Sequence, residues 1–291
     1  MRLVIGISGD SGSGKDTLAR GTGALFGCEQ TTQLSGDDYH LAERHDPLWE
    51  RMTHLDPAAN DLARLAADVA ALARGEDVSV RPYDHGTGRF GPVWHHAPRP
   101  VVIVNGLHTL YTAELRAQLD LRVHLDTDEE LRVRLKMRRD VQQRNHTRAE
   151  LAQLMVRRGE DAERYIRPQA QHADLVLRLR PEDPRMLAAT ELADTVPLVL
   201  DAFVTAPLAG YAADLVRRLG THARSLPLTN APAGMAVGFH IHGAPSRAAL
   251  AEVATSLHPS RCPDPTPETA EGVLGATELL IWHLALRVRE T

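Results

Sequence analysis

Apolar residues open the chain as a short run, Leu3 to Ile7, which passes through Ser8 into a glycine-rich turn at Gly9 to Gly14. A run of this length bounded by turn residues predicts a buried strand. Lys15 to Leu25 follows as a helix, and Thr31 to Ser35 predicts a second strand. Leu62, Leu65, Val69 and Leu72 recur at helical intervals and stop before Gly75, which predicts a helix over Leu62 to Arg74. The β-branched run from Pro100 to Val104 has the texture of a central parallel strand, and Leu121 to Leu125 predicts another. Glu129 to Asp140 reads as a charged helix and Arg148 to Arg158 as a second helical stretch, ahead of a strand at Ala173 to Leu179. Strands alternating with helices predict an α/β fold with a mainly parallel sheet.

Beyond Pro181 the texture changes, and Pro184, Pro197, Pro207, Pro227, Pro232 and Pro245 punctuate short apolar pieces. Strands are predicted at Val199 to Thr205 and Ala236 to His242, and helices at Ala209 to Leu219, Ser246 to Leu257 and Glu271 to Arg289. This divides the chain into a core over residues 1–181 and a small C-terminal α/β extension over 182–291.

Composition narrows the class. With 43% hydrophobic and 24% charged residues among 291, the chain is expected to be globular rather than disordered or fibrous. Its 33 Lys+Arg against 38 Asp+Glu give no basic field of the kind that nucleic-acid binding needs. Cys28 and Cys262 make no disulfide framework and suggest a reducing compartment, the cytoplasm. The fairly apolar stretch Pro197 to Val216 is broken by Asp201 and Asp214, so no membrane span is expected. Of all the cations only Lys15 and Lys136 are lysines. A coding bias toward arginine would spare lysine where a slim ammonium is required.

Lys15 closes the strongest motif, Gly9-Asp10-Ser11-Gly12-Ser13-Gly14-Lys15-Asp16-Thr17, set between a predicted strand and a predicted helix. This is the G-x-x-x-x-G-K phosphate loop in its required context. Its glycines let backbone N–H groups turn inward around phosphate oxygens, and the helix N-terminus adds favourable partial charge. Gly9, Ser11, Gly12, Ser13, Gly14, Lys15, Asp16 and Thr17 are therefore the expected nucleotide contacts, with Lys15 on the β- and γ-phosphates. Ser or Thr ordinarily follows the lysine and binds Mg²⁺; here Asp16 stands in that place, with Thr17 next.

Further stretches fall in an order that resembles the phosphoribulokinase and uridine kinase family. They are Ser35-Gly36-Asp37-Asp38-Tyr39-His40 with Arg44, then Leu55-Asp56-Pro57-Ala58-Ala59-Asn60-Asp61, then Arg81-Pro82-Tyr83-Asp84-His85-Gly86-Thr87-Gly88. Val102-Ile103-Val104-Asn105-Gly106-Leu107-His108, Lys136-Met137-Arg138-Arg139-Asp140 with Arg144, and Pro168-Gln169-Ala170-Gln171-His172-Ala173-Asp174 complete the set. The resemblance implies a P-loop NTPase fold, ATP and Mg²⁺ as cofactors, and phosphoryl transfer to a hydroxyl of a sugar phosphate, with ribulose 5-phosphate as the first acceptor. The C-terminal extension is expected to serve dimerisation, giving a homodimer.

Roles follow residue by residue. Phosphoryl transfer needs a base about 3 Å from the hydroxyl proton. The resemblance implies that base in Asp37, with Asp38 as its competitor and an Asx turn as the plain structural alternative. It places His40, Arg44, Tyr83, His85 and Arg144 on the acceptor; an arginine fork suits a phosphate. His40 and Arg44 share a face if their segment is helical. Lys136, Arg139, Asp140 and Arg144 form a stripe that the resemblance makes a lid over the nucleotide, with Lys136 and Arg139 reaching ATP and Arg139 aiding catalysis. Family members usually carry Glu where this chain has Asn105, near Mg²⁺. Two explanations compete: Asp16 supplies the displaced carboxylate, or the chain binds nucleotide without turnover. Asp16, Thr17 and Asn105 are the expected metal surroundings. Light-regulated members carry cysteines where Ser13 and Ser35 stand here, which excludes that thiol switch. His240-x-His242 would point two rings to one face of a strand and is read as structural; Trp94-His95-His96 is expected in an exposed turn or a mobile substrate loop. A uridine or cytidine kinase is the alternative enzyme, and a nucleotide-binding regulator the alternative without turnover.

Overall fold

The computed structural model describes residues 2–144, 158–189, 196–261 and 269–288, with side chains for all of these except 137–144 and 188–189. Eight strands make one sheet: β1 (Leu3–Gly9), β2 (Thr31–Ser35), β3 (Val101–Gly106), β4 (Leu121–Thr127), β5 (Leu175–Pro181), β6 (Leu198–Thr205), β7 (Ala223–Leu226) and β8 (Met235–Ile241). Their spatial order is β7-β8-β6-β5-β4-β1-β3-β2. The five strands from β2 to β5 pair in parallel. Strands β6, β8 and β7 pair antiparallel and continue the same sheet from the edge of β5.

The apolar runs now have a cause. β1 lies between β3 and β4 and is buried along its whole length. One face packs Val4, Leu34, Val102 and Val104 against Leu65, Val69 and Leu72 of the helix Leu62–Arg74. With α1 as Lys15–Phe26, this helix is α2. Its first turn is capped by Asp61, whose side chain accepts the Arg64 N–H at 3.0 Å, an interaction worth about 1 kcal/mol. It ends at Gly75, where φ is 97°, a left-handed conformation suited to glycine. The helix Glu129–Arg144 is α3. The opposite face packs Ile5, Ile7, Ile103, Leu177 and Leu200 in one core with Leu18 of α1 and residues of α4 (Ala206–Arg218), α5 (Arg247–Leu257) and α6 (Gly272–Arg287).

Helix α6 is buried on nearly every side and carries one carboxylate into the core: Glu278, 2% exposed. Its Oε2 accepts the Ala270 N–H at 3.0 Å, and it presses on Gly21 of α1 so closely that a Cβ there would lie 1.9 Å from Oε1. Burial pushes its pKa up to about 7. A raised carboxyl pKa means full stability below the ordinary value of 4.5 and a loss as pH rises through about 7. Glu278→Gln is therefore expected to stabilise the chain by up to about 3 kcal/mol in alkaline buffer and hardly at all in acid. Thermal unfolding followed against pH measures this.

The predicted core elements occupy the expected stretches. Two details differ. Trp94–His96 is a strand, paired antiparallel with Val78–Val80, and not an irregular turn. β7 had no visible pattern because it is a four-residue edge strand whose pairing with β8 alone defines it. His240 and His242 do share a face, with rings stacked at 5.5 Å, but His240 Nδ1 is bonded to Asp201 at 2.6 Å and Asp201 also pairs with Arg180. Among the described residues no three His, Cys, Asp or Glu cluster as a metal site, and no helix is long and apolar enough to cross a membrane. Most of the helix expected at Arg148 to Arg158, and Cys262, lie outside the described residues.

Candidate active site

The parallel strands deliver their C-terminal ends to one edge of the sheet, where Gly9, Ser35 and Asn105 come together: Asn105 is in register with Ile7 on one side and Ser35 on the other. The phosphate loop leaves β1 here. Gly12 and Gly14 hold φ of 87° and 96°, the left-handed region that the inward turn of the loop requires. Lys15 starts α1 and is 5% exposed. The loop is clamped from β4 and α3. Thr127 Oγ1 donates to the Ser13 carbonyl at 2.8 Å, Arg132 Nη1 donates to the Ser11 carbonyl at 2.9 Å, and Arg132 pairs with Asp10 at 3.3 Å. Lys136 is 1% exposed and donates to Ser11 Oγ at 3.0 Å. Lysine fits there because its stem runs along Gly12; a Cβ on Gly12 would lie 2.8 Å from that of Lys136. Arg139 and Arg144 lie on the same helix, with side chains outside the described residues.

Asp16 is joined to the strand opposite. Asn105 Nδ2 donates to Asp16 Oδ1 at 2.8 Å, and Lys15 Nζ lies 3.8 Å from the same oxygen. Thr17 follows on the exposed side of α1.

The acceptor side starts at β2. Ser35 accepts the Asp37 N–H, which opens a short 3₁₀ turn over Gly36–Tyr39. Asp37 Oδ2 faces His85 Nε2 at 2.9 Å, and Oδ1 faces His40 Nε2 at 3.7 Å. Burial alone would raise the Asp37 pKa, but the His85 hydrogen bond and the charges of His40, Lys15 and His85 outweigh it and hold the group well below its ordinary 3.8. Asp38 has the opposite environment: burial pushes it up to about 6, and its Oδ1 accepts the Tyr83 N–H at 2.8 Å. The two adjacent carboxyls are thereby separated into an ionised group at the site and a loop anchor.

His40 and Arg44 do not share a helical face. The helix ends at Tyr39, His40 bridges to Asn60, and the chain turns before Arg44. His40 Nδ1 meets Asn60 Oδ1 at 2.7 Å, and burial lowers the His40 pKa. Arg44 donates to the carbonyls of His85 and Gly86, so its fork grips the loop that carries His85. Tyr83 is 8% exposed and sits edge-on to His40, His85 and Phe90 at 5.1 to 5.3 Å.

Several residues at this site had no signal in the sequence. The rings of Trp49 and His54 lie 3.8 Å apart at a tilt of 32°, and those of His54 and His40 4.3 Å apart at 46°, a row that ends beside Asp37. Burial drives the His54 pKa down to about 2 and that of His108 to about 4, so both rings are neutral. Arg158 lies near enough to His40 and His54 to disfavour their protonation. Thr53 Oγ1 ties this segment to Asp161 at 2.7 Å. The stretch from Pro168 to Asp174 acts as a staple: Gln169 bonds Leu107, Leu110 and Tyr165, and Asp174 holds Arg122 through its side chain and backbone.

A parallel sheet with a glycine loop, a buried lysine and a helix N-terminus at its carboxyl edge defines a P-loop NTPase fold of the kinase type. The description "Phosphoribulokinase / Uridine kinase family" matches residues 4–184, and the chain belongs to that family. It is 36% identical over 179 residues to a phosphoribulokinase of Synechocystis, covering 62% of this chain and 54% of that protein. It is 32% identical over 198 residues to the chloroplastic phosphoribulokinase of Spinacia oleracea, covering 62% and 49%. A uridine kinase of Chloroflexus aurantiacus is 33% identical over 150 residues, covering 50% and 71%. The chain spans about half the length of the phosphoribulokinases it matches. Among solved structures, phosphoribulokinase from Rhodobacter spheroides superposes with a TM-score of 0.64 at 18% identity over 83% of this chain and 90% of that one, a likeness of fold.

Proposed function

We propose that the chain transfers the γ-phosphoryl group of Mg·ATP to a hydroxyl of a sugar phosphate, with ribulose 5-phosphate the first acceptor to test. The observation that carries this is Asp37, an ionised carboxylate beside the phosphate loop, gripped by His85 and within the field of Lys15. Asp37 takes the hydroxyl proton as the oxygen attacks phosphorus; the bond to the bridging oxygen breaks and ADP leaves. Lys15 and the loop amides hold the phosphates and meet the charge that develops on them. His40, Tyr83 and His85 wall the acceptor. The Asp16 carboxylate, the Thr17 hydroxyl and the Asn105 amide oxygen are hard donors that would hold Mg²⁺. Bound there, Mg²⁺ supplies charge neutralisation on the β- and γ-phosphates. Lys136, Arg139 and Arg144 belong to the helix that adjoins the loop, where closure would exclude water. In the same reading the core and the extension work as one unit in a cytoplasmic homodimer, which sedimentation of the purified chain tests.

Two features favour a nucleoside acceptor as the second reading. The Trp49–His54–His40 row offers ring faces, and the Arg44 fork is engaged with loop carbonyls. An ATP-consumption screen across pentose phosphates, pentoses and nucleosides, with Asp37→Ala as blank, separates the two. Arg44→Ala frees the loop that carries His85 and is expected to raise KM for either acceptor, and to raise it about tenfold more for a sugar phosphate than for a nucleoside. ATP binding without turnover on any acceptor would instead make the chain a regulator.

A further inference from the structure

Asp16 is the second residue of the phosphate-binding helix, where the motif takes a neutral hydroxyl. An anion at that place opposes a phosphate ligand, so its presence needs a physical reason. The geometry supplies one. Asn105, 7% exposed at the end of β3, spends its amide on Asp16 Oδ1 at 2.8 Å. The Asp16 side chain is 53% exposed. Lys15 Nζ is 3.8 Å from the same oxygen, so Asp16 offsets the lysine's charge when nothing is bound. The neighbouring acid of the loop, Asp10, is already taken up by Arg132 and by the Ser11 N–H. A carboxyl group at position 105 would repel Asp16. An amide instead anchors it, which explains why a weak metal ligand stands on the strand.

We propose that Asp16 and Asn105 act as one unit that makes nucleotide binding conditional on a divalent cation. Asp16 contributes the carboxylate to the metal, and Asn105 is the positioning residue that holds it there. Without the cation, Asp16 screens Lys15 and repels the phosphates; with the cation, the same charge binds the nucleotide's metal. The inference rests on the reading of Gly9 to Thr17 as a nucleotide site and is independent of the acceptor.

Calorimetric titration of the full chain with ADP, in EDTA and in excess Mg²⁺, tests it without turnover. The wild type is expected to bind ADP at least about tenfold more tightly with Mg²⁺ than in EDTA. Asp16→Ala, which leaves neither charge nor hydroxyl at that position, should bind metal-free ADP more tightly than the wild type, by about tenfold, and should lose most of the gain from Mg²⁺. Asp16→Ala with Asn105→Asp, which returns the charge from the opposite strand, should recover much of that gain. Mn²⁺ in place of Mg²⁺ gives a second readout: the paramagnetic signature of Mn²⁺ bound with ADP to the protein should weaken in Asn105→Ala and fall further in Asp16→Ala. The proposal is overturned if Asp16→Ala, folded by its thermal transition, keeps the wild-type gain from Mg²⁺ or binds metal-free ADP no better. A failed acceptor screen with this metal dependence intact would sink the kinase reading alone.

Discussion

Asp37→Asn is expected to lower kcat by about 10³-fold while leaving the Kd for Mg·ADP within about twofold. The substitution keeps the shape of the side chain and removes only its capacity to take a proton. His85 Nε2 at 2.9 Å and His40 Nε2 at 3.7 Å hold the carboxylate from two sides, so an amide in the same place leaves the pocket standing. The effect on binding should be small because Asp37 lies on the acceptor side, whereas the phosphate loop is clamped by Thr127, Arg132 and Lys136. The depressed pKa also fixes a sign. A carboxyl whose folded pKa lies below 3.8 is fully ionised above that value and protonates only as pH falls through the folded pKa. The acid limb of kcat against pH should therefore not report Asp37 anywhere above about pH 4. Single-turnover kinetics with Mg·ATP measure both quantities. Retention of more than about a tenth of kcat in Asp37→Asn would assign the base elsewhere.

Lys15→Met is expected to reduce kcat by about 10² to 10³-fold and to weaken nucleotide binding as well. The ammonium is 5% exposed at the start of α1, close enough to lower the Asp37 pKa, and so lies between donor and acceptor. Lys15→Arg decides whether composition carried information. A guanidinium is a planar fork, and it cannot present a compact point charge to two phosphates. It should fall nearly as far as methionine. Lys15→Arg with wild-type kinetics would show that the survival of lysine among so many arginines says nothing about this site. ATP titrations with each variant, monitored by steady-state rate, supply the comparison.

The phosphate loop was legible because all of its parts are contiguous: an apolar run, a glycine turn, a lysine and a helix. Proximity along the chain is enough to make that site, so its spacing is visible in one dimension. The acceptor site is assembled differently. Asp37 and His85 are adjacent because Asp38, Glu43 and Arg44 bind the backbone of the hairpin that carries His85. Helical spacing misplaced His40 and Arg44, since the 3₁₀ turn stops at Tyr39 and the antiparallel bridge from His40 to Asn60 redirects the chain. Trp49 and His54 sit in stretches with no period that marks them, and packing alone brings them, with Arg158, to His40.

The sequence by itself determined the order of the strands and helices of the core, the nucleotide loop, and the substitution of Asp16 and Asn105 for the usual pair. Those are local properties, governed by side-chain period, glycine conformation and residue chemistry. Tertiary structure decided that Asp16 and Asn105 touch, because β1 and β3 pair in parallel and end together. It decided that Asp37 keeps its charge to lower pH than Asp38, because burial and hydrogen bonding differ on the two sides of one turn. It also joined β6, β7 and β8 to the sheet, since an antiparallel edge needs only an open neighbour, and nothing in the local pattern names that neighbour.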